Sequence, residues 1–138
     1  MTERSAATIT AEMILALTIW AEAQGEPADG KAAVASVIWN RAEARRAKER
    51  MNDIRPCLTA VCLAPRQFSC WNSGSLFGAR PSGEAWAECL LLARAMLGGA
   101  FRPSTEADHY HAKSARPYWA AAMPVVAVIG GHVFYKEV

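Results

Sequence analysis

With 138 residues the chain has room for one domain, long enough to bury about two-thirds of its unfolded surface around a single core. Hydrophobic residues make up 52% and charged residues 20%, and mean hydropathy is +0.03, a balance unlike that of disordered or membrane-embedded chains. A net charge of +2 is too small to point to nucleic acid.

Thr10 is a good N-cap for a first helix, whose apolar stripe is read as Met13, Ala16, Leu17 and Trp20 at helical spacing. Ala21-Glu22-Ala23 after this apolar run mimics a signal-peptide cleavage site. Glu3 and Glu12 against only Arg4 argue instead for a helix of the folded domain, without export signal or membrane insertion. Gly25 is a natural helix stop, and Pro27 biases Glu26 away from helical geometry. A second, alanine-rich helix should start near 27–29 and run through Arg41 into a basic stretch. That stretch, Arg41, Arg45, Arg46, Lys48, Arg50 and Arg55, reads as a solvated helix face or as a patch for an anionic polymer.

Residues 51–83, rich in Pro, Cys, Ser and Gly, read as a long structured loop. The four cysteines, Cys57, Cys62, Cys70 and Cys89, show no C-x-x-C spacing, so a metal cluster is not expected. A bridge between Cys57 and Cys62 would pin the loop, and buried thiols are the alternative. Helical spacing resumes over Glu84 to Leu97 and ends at Gly98-Gly99. Asp108 to Ala112 reads as extended, and Val125 to Ile129 with His132 to Lys136 as a hairpin turning on Gly130-Gly131. The fold class is therefore α+β, a mostly helical single domain over 1–138 with a small C-terminal antiparallel sheet.

Glu22 ends the first helix on the edge that carries Leu15 and Ile19. A carboxylic acid against apolar walls keeps its proton more readily than one in water, as a general acid requires. An ordinary exposed helix-end Glu is the competing reading. Glu26, four residues on, lies at the i, i+4 spacing a two-carboxylate glycosidase site would use. The break at Gly25 and Pro27 favours a structural role for Glu26, accepting hydrogen bonds at the start of the second helix. His109 and His111 should share one face of a strand, with Tyr110 on the other, and His132 completes the three histidines. They suit substrate or acid-supporting hydrogen bonds, structure, or a zinc site in which all three converge. The aromatics Phe68, Trp71, Tyr110, Tyr118 and Trp119 fall mostly in loop-like segments, as platforms stacking on sugars would, with packing as the alternative.

Four blocks resemble the cell-wall hydrolase family that includes the spore-cortex-lytic enzymes. They are Ala21-Glu22-Ala23-Gln24-Gly25-Glu26-Pro27; Gly30 with Val34 through Arg41; Gln67-Phe68-Ser69-Cys70-Trp71; and His109-Tyr110-His111-Ala112 with Pro117 to Ala120 and Ile129 to Tyr135. The resemblance covers nearly the whole chain and implies a lysozyme-like fold. It also implies peptidoglycan glycan strands as substrate, cut between N-acetylmuramic acid and N-acetylglucosamine, and one essential acid, which lands on Glu22. By the same resemblance Tyr110, with His111, orients the sugar in the catalytic site, Asn40 and Arg41 fix the helix that carries it, and Glu26 is a structural neighbour. Phe68, Trp71, His109, His111 and Trp119 stand, from their placement in the sequence, as the candidate substrate contacts, and no metal or cofactor is expected. The expected reaction is a lytic transglycosylation closing a 1,6-anhydro ring. A hydrolytic muramidase, a zinc amidase on His109, His111 and His132, and a non-catalytic wall-binding domain are the alternatives. A family member without an export signal suggests a phage or prophage endolysin that reaches the wall through a holin-type release partner.

Overall fold

The computed structural model describes residues 6–65, 67–72 and 80–138. The chain order is helices α1 (Ala6–Glu22), α2 (Ala28–Lys48), α3 (Arg55–Leu63), α4 (Ser69–Asn72) and α5 (Gly83–Gly98), then strands β1 (His109–Ala112), β2 (Val125–Ile129) and β3 (His132–Tyr135). A short 3-10 turn at Ala120–Ala122 separates β1 from β2.

Helix α1 packs chiefly on α5 and buries Leu15, Ala16 and Ile19 at helical spacing, while Ala23, just past its end, is buried toward α2 and Phe134. The expected stripe is rotated, because Met13 is 39% exposed while Leu15 and Ile19 are fully buried. Thr10 lies inside α1 rather than capping it. Buried Glu12 on the same helix receives the Arg94 guanidinium of α5 at 2.8 Å. The helix ends at Glu22, and Gly25 takes φ +79°, a left-handed turn that costs glycine nothing.

Helix α2 carries small residues, Ala33, Ala35, Ser36 and Ala42, on its buried side, so neighbouring backbones approach closely. Its basic stretch resolves into local ion pairs, Arg45 with Glu49 and Arg46 with Glu43, with Arg55 beside Asp53 after it. This favours the solvated face over the anionic-polymer patch.

The segment expected as one loop contains α3 and α4. Pro56 stands in the first turn of α3, where a missing N–H costs nothing. Cys57 and Cys62 sit in that helix, five residues apart, so their side chains diverge by about 140° and no bridge is feasible. All four cysteines are buried and no disulfide joins them.

The main core gathers Leu15, Ile19, Ile38, Leu58, Phe68 and Met96 between α1, α2, α3 and α5. A second cluster, Ala23, Ala33, Val34, Val37, Ala107 and Phe134, joins the first half of α2 to the sheet. The sheet is antiparallel in the order β1-β3-β2, with a bulge between Val125 and Ala127. No helix among the described residues is long and apolar enough to cross a membrane. The architecture is the expected α+β one, mostly helical with a small C-terminal sheet.

Candidate active site

Strand pairing decides which side chains meet Glu22. In β1 and β3, Tyr110 stands opposite Phe134 and His111 opposite Val133, so Tyr110, His132 and Phe134 share the inner face, while His109, His111 and Tyr135 share the outer one. Burial of Phe134 against α2 fixes that register, because a slip of one residue would turn it to the other face of the sheet, away from Ala33, Val34 and Val37. The inner face delivers the Tyr110 phenol to the last residue of α1, where it donates to Glu22 Oε1 at 2.5 Å. Burial, and then the neighbouring Glu22 carboxylate, push Tyr110 well above its ordinary phenolic pKa. Tyr110 therefore keeps its proton and acts as a donor.

One turn before Glu22, Thr18 donates to Ile14 O at 2.7 Å and accepts from Trp71 Nε1 at 2.8 Å. Trp71, half-buried, is thus tied to the edge of α1 that leads to the acid. Thr18 was not apparent as a site residue from sequence, although its i−4 spacing from Glu22 was available as a signal.

A polar row on α2 holds the lead-in to β1. Ser36 Oγ accepts from Ser104 N at 2.8 Å, and Asn40 Nδ2 donates to Thr105 O at 2.9 Å and Ala107 O at 2.8 Å. Arg41 Nε donates to Asp108 O at 2.6 Å, and its Nη1 donates to Gln67 Oε1 at 3.1 Å. Burial pulls the Arg41 guanidinium below its ordinary pKa, while Tyr110, Asp108 and Glu22 draw it back up, so this cation lies within the field of the acid and its phenol. Ser36, four residues before Asn40 on an alanine-rich helix, completes a row whose helical spacing is visible in the sequence.

Glu26 is occupied elsewhere. Its carboxylate accepts from Gly131 N at 2.9 and 3.1 Å, and His132 Nδ1 lies 2.9 Å from Oε1, off the line of a good hydrogen bond. The anchor is the β2–β3 turn rather than the start of α2. Lys31 reaches the Glu26 carbonyl at 2.5 Å and Glu88 at 3.2 Å, closing the α1–α2 connection.

Several expected neighbours of the acid are elsewhere. Phe68, expected as a sugar platform, is fully buried beneath the Arg41 guanidinium, whose Cζ lies 5.5 Å from the ring centre. His109, His111 and Trp119 form an aromatic group on the outer sheet face, away from Tyr110 and Glu22. The zinc reading fails on the same geometry, since His132 packs edge-on against Tyr110 on the inner face and cannot converge with the two outer histidines. Asp108, His109 and Glu137 do bring ligand-type atoms within 4.8 Å of one another. Asp108 there already accepts from Glu137 N at 2.9 Å and lies 3.4 Å from the Lys136 ammonium, which would repel a cation.

The sequence model described as Cell Wall Hydrolase matches residues 25–135, a span that begins just after Glu22. Among solved structures, the catalytic domain of the Bacillus cereus SleB protein is similar, at 24% identity and TM-score 0.67, over 98% of this chain and 94% of that one. The catalytic domain of the germination-specific lytic transglycosylase SleB from Bacillus anthracis is similar at 24% identity and TM-score 0.68, over 99% and 100%. No curated protein sequence matches. The likeness to the two structures shows a shared fold, and with a family match over most of its length, the chain belongs to the cell wall hydrolase family.

Proposed function

We propose that the protein cleaves peptidoglycan glycan strands between N-acetylmuramic acid and N-acetylglucosamine as a lytic transglycosylase, with Glu22 as its single acid and base. The observation that carries this reading is the Glu22 carboxyl at the end of α1, with one oxygen held by the buried Tyr110 phenol at 2.5 Å. Tyr110 occupies Oε1, which leaves Oε2 to deliver a proton to the glycosidic oxygen as the bond to the muramoyl C1 breaks. The same oxygen, now a carboxylate, takes the proton from the muramoyl C6 hydroxyl as that oxygen bonds to C1. The ring closes without water, and Glu22 ends as it began. A lone carboxylate suffices because the sugar supplies the nucleophile, which agrees with Glu26 being spent on the hairpin turn. Arg41 positions rather than reacts, since its hydrogen bonds tie α2 to Gln67 and to the strand that carries Tyr110. The description of one structural neighbour as a lytic transglycosylase supports ring closure over hydrolysis on the same acid.

The experiment is mass spectrometry of muropeptides released from purified walls by the wild type and by Glu22→Gln. The expected products carry anhydro ends, one water lighter than reducing ends, and vanish with Glu22→Gln. Reducing ends would make the enzyme a muramidase, and release of cut stem peptides would reject the glycosidase reading.

A further inference from the structure

We propose that the outer face of the sheet is a second contact surface for the same polymer, a peptidoglycan glycan strand that crosses the edge of β1 between this face and Glu22; this rests on the function proposed above. The surface is built around Trp119, whose ring centre lies 5.3 Å from that of His109, 5.7 Å from His111 and 5.3 Å from Tyr135. Next to it, Tyr118 is 95% exposed, an aromatic ring left in water where burial would be favourable.

The imidazoles are held in place before any ligand arrives. His111 Nδ1 lies 2.7 Å from the Ala112 carbonyl, which assigns the proton to that nitrogen, and Nε2 lies 2.7 Å from the Tyr135 hydroxyl. His109 Nδ1 is 2.9 Å from Asp108 Oδ1, so its other ring nitrogen is the one it can offer to a sugar hydroxyl. Rigid rings with apolar faces and polar edges suit a pyranose, which presents C–H groups on its faces and hydroxyls around its rim.

Two further observations select a peptidoglycan strand. The turn after β1 carries exposed Lys113 and Arg116, whose charge complements the carboxylates of peptide stems. The second is continuity. In the order β1-β3-β2, β1 is an edge strand, and it sends Tyr110 inward to Glu22 from between the outward-facing His109 and His111. A polymer longer than a few sugars that wraps this edge meets both faces, and a short fragment meets only one.

The test uses the full chain with Glu22→Gln, which holds walls without cutting them, and measures the fraction that sediments with purified insoluble peptidoglycan. Adding Tyr118→Ala or Trp119→Ala should weaken wall binding by about tenfold. In the Glu22 enzyme the same substitutions should lower turnover of intact walls far more than turnover of a short soluble muropeptide. Trp119 covers Tyr135, so its loss could disturb the sheet, whereas Tyr118 is bare and its removal keeps the test clean. Undiminished wall binding by Tyr118→Ala and Trp119→Ala in folded protein would overturn the inference. So would a dimer that Tyr118→Ala dissolves, which would assign the face to a second copy of the chain. A wild type that fails to cut walls would instead reject the function on which the inference rests.

Discussion

Tyr110 and Glu22 meet at 2.5 Å across 88 residues of sequence, the phenol arriving on a sheet edge and the carboxyl on a helix end. Removing only the hydroxyl isolates that contact. Tyr110→Phe keeps the ring that packs 5.6 Å from Phe134, so the fold should persist. A hydrogen bond to a charged group contributes about 1.5–3 kcal/mol, so kcat should fall by up to about 10- to 150-fold, while the melting temperature drops by several degrees and circular dichroism stays that of the wild type. Unaltered kcat in steady-state assays on walls would remove Tyr110 from the mechanism.

Glu22→Gln preserves size and deletes the proton donor. The expected loss of activity is at least about 100-fold, the scale of general acid catalysis, in a protein with wild-type circular dichroism. Turbidity clearing of walls is the readout, and near-normal clearing would move the acid elsewhere.

The β2–β3 turn is sterically full. Gly130 sits at φ +56°, and a Cβ there would come 2.1 Å from Glu26 Oε2. Gly130→Ala must therefore displace a carboxylate that holds Gly131 N, in addition to straining the backbone. About 1–3 kcal/mol of lost stability is expected, roughly 3–10 °C in melting temperature. Combining it with Glu26→Ala should give less than the sum of the two single losses, because the clash disappears with the carboxylate. Strict additivity in a double-mutant cycle would show that the turn and Glu26 are uncoupled.

Asp108 carries a pH dependence of known sign. Burial raises its pKa, but His109, the Glu137 amide and Lys136 together outweigh that and hold it below the ordinary value of 3.8. A depressed carboxylate stabilises the fold above its unfolded pKa, and that contribution fades as pH falls through the lower, folded value. Asp108→Asn should cost about 1 kcal/mol at pH 7, and less at a pH below the ordinary carboxylate value of 3.8, where protonation removes the contribution. Urea titrations at the two pH values measure it, and a gap that widened in acid would contradict the assignment.

The thiols should be silent in the folded protein. Burial pushes Cys62 up to about 12 and Cys70 and Cys89 to about 11, so little thiolate exists at neutral pH. An aromatic disulfide reagent should react slowly in buffer and promptly with all four cysteines in guanidinium. Fast native reaction would mean that the helices around α3 open readily.

Much of this molecule can be read from local pattern. The alanine-rich α2, α5 and the glycine-centred hairpin emerge because their periodicity and turn residues are consecutive in sequence. Helix α3 escapes notice because Pro56 and the cysteines look like loop composition, although proline is at home in a first helical turn. For the site, alternation correctly groups His109 with His111 and sets Tyr110 apart. Which group faces Glu22 depends on Phe134, buried 24 residues later against α2, and no window around β1 contains that information. Phe68 misleads for a related reason, since its burial is decided by α2 and Arg41 rather than by its own neighbours in sequence.

The strand order also has a temporal side. Among the described residues β1 pairs only with β3, and β3 forms its hairpin with β2, so the sheet mounts Tyr110 once residues 132–135 have been made and paired. A polypeptide growing from its N-terminus holds Glu22 early but acquires its phenolic partner in place only at the last strand. Synthesis and arming are thereby separated, and a protein broken off before Tyr135 would leave the ribosome with its acid unassisted.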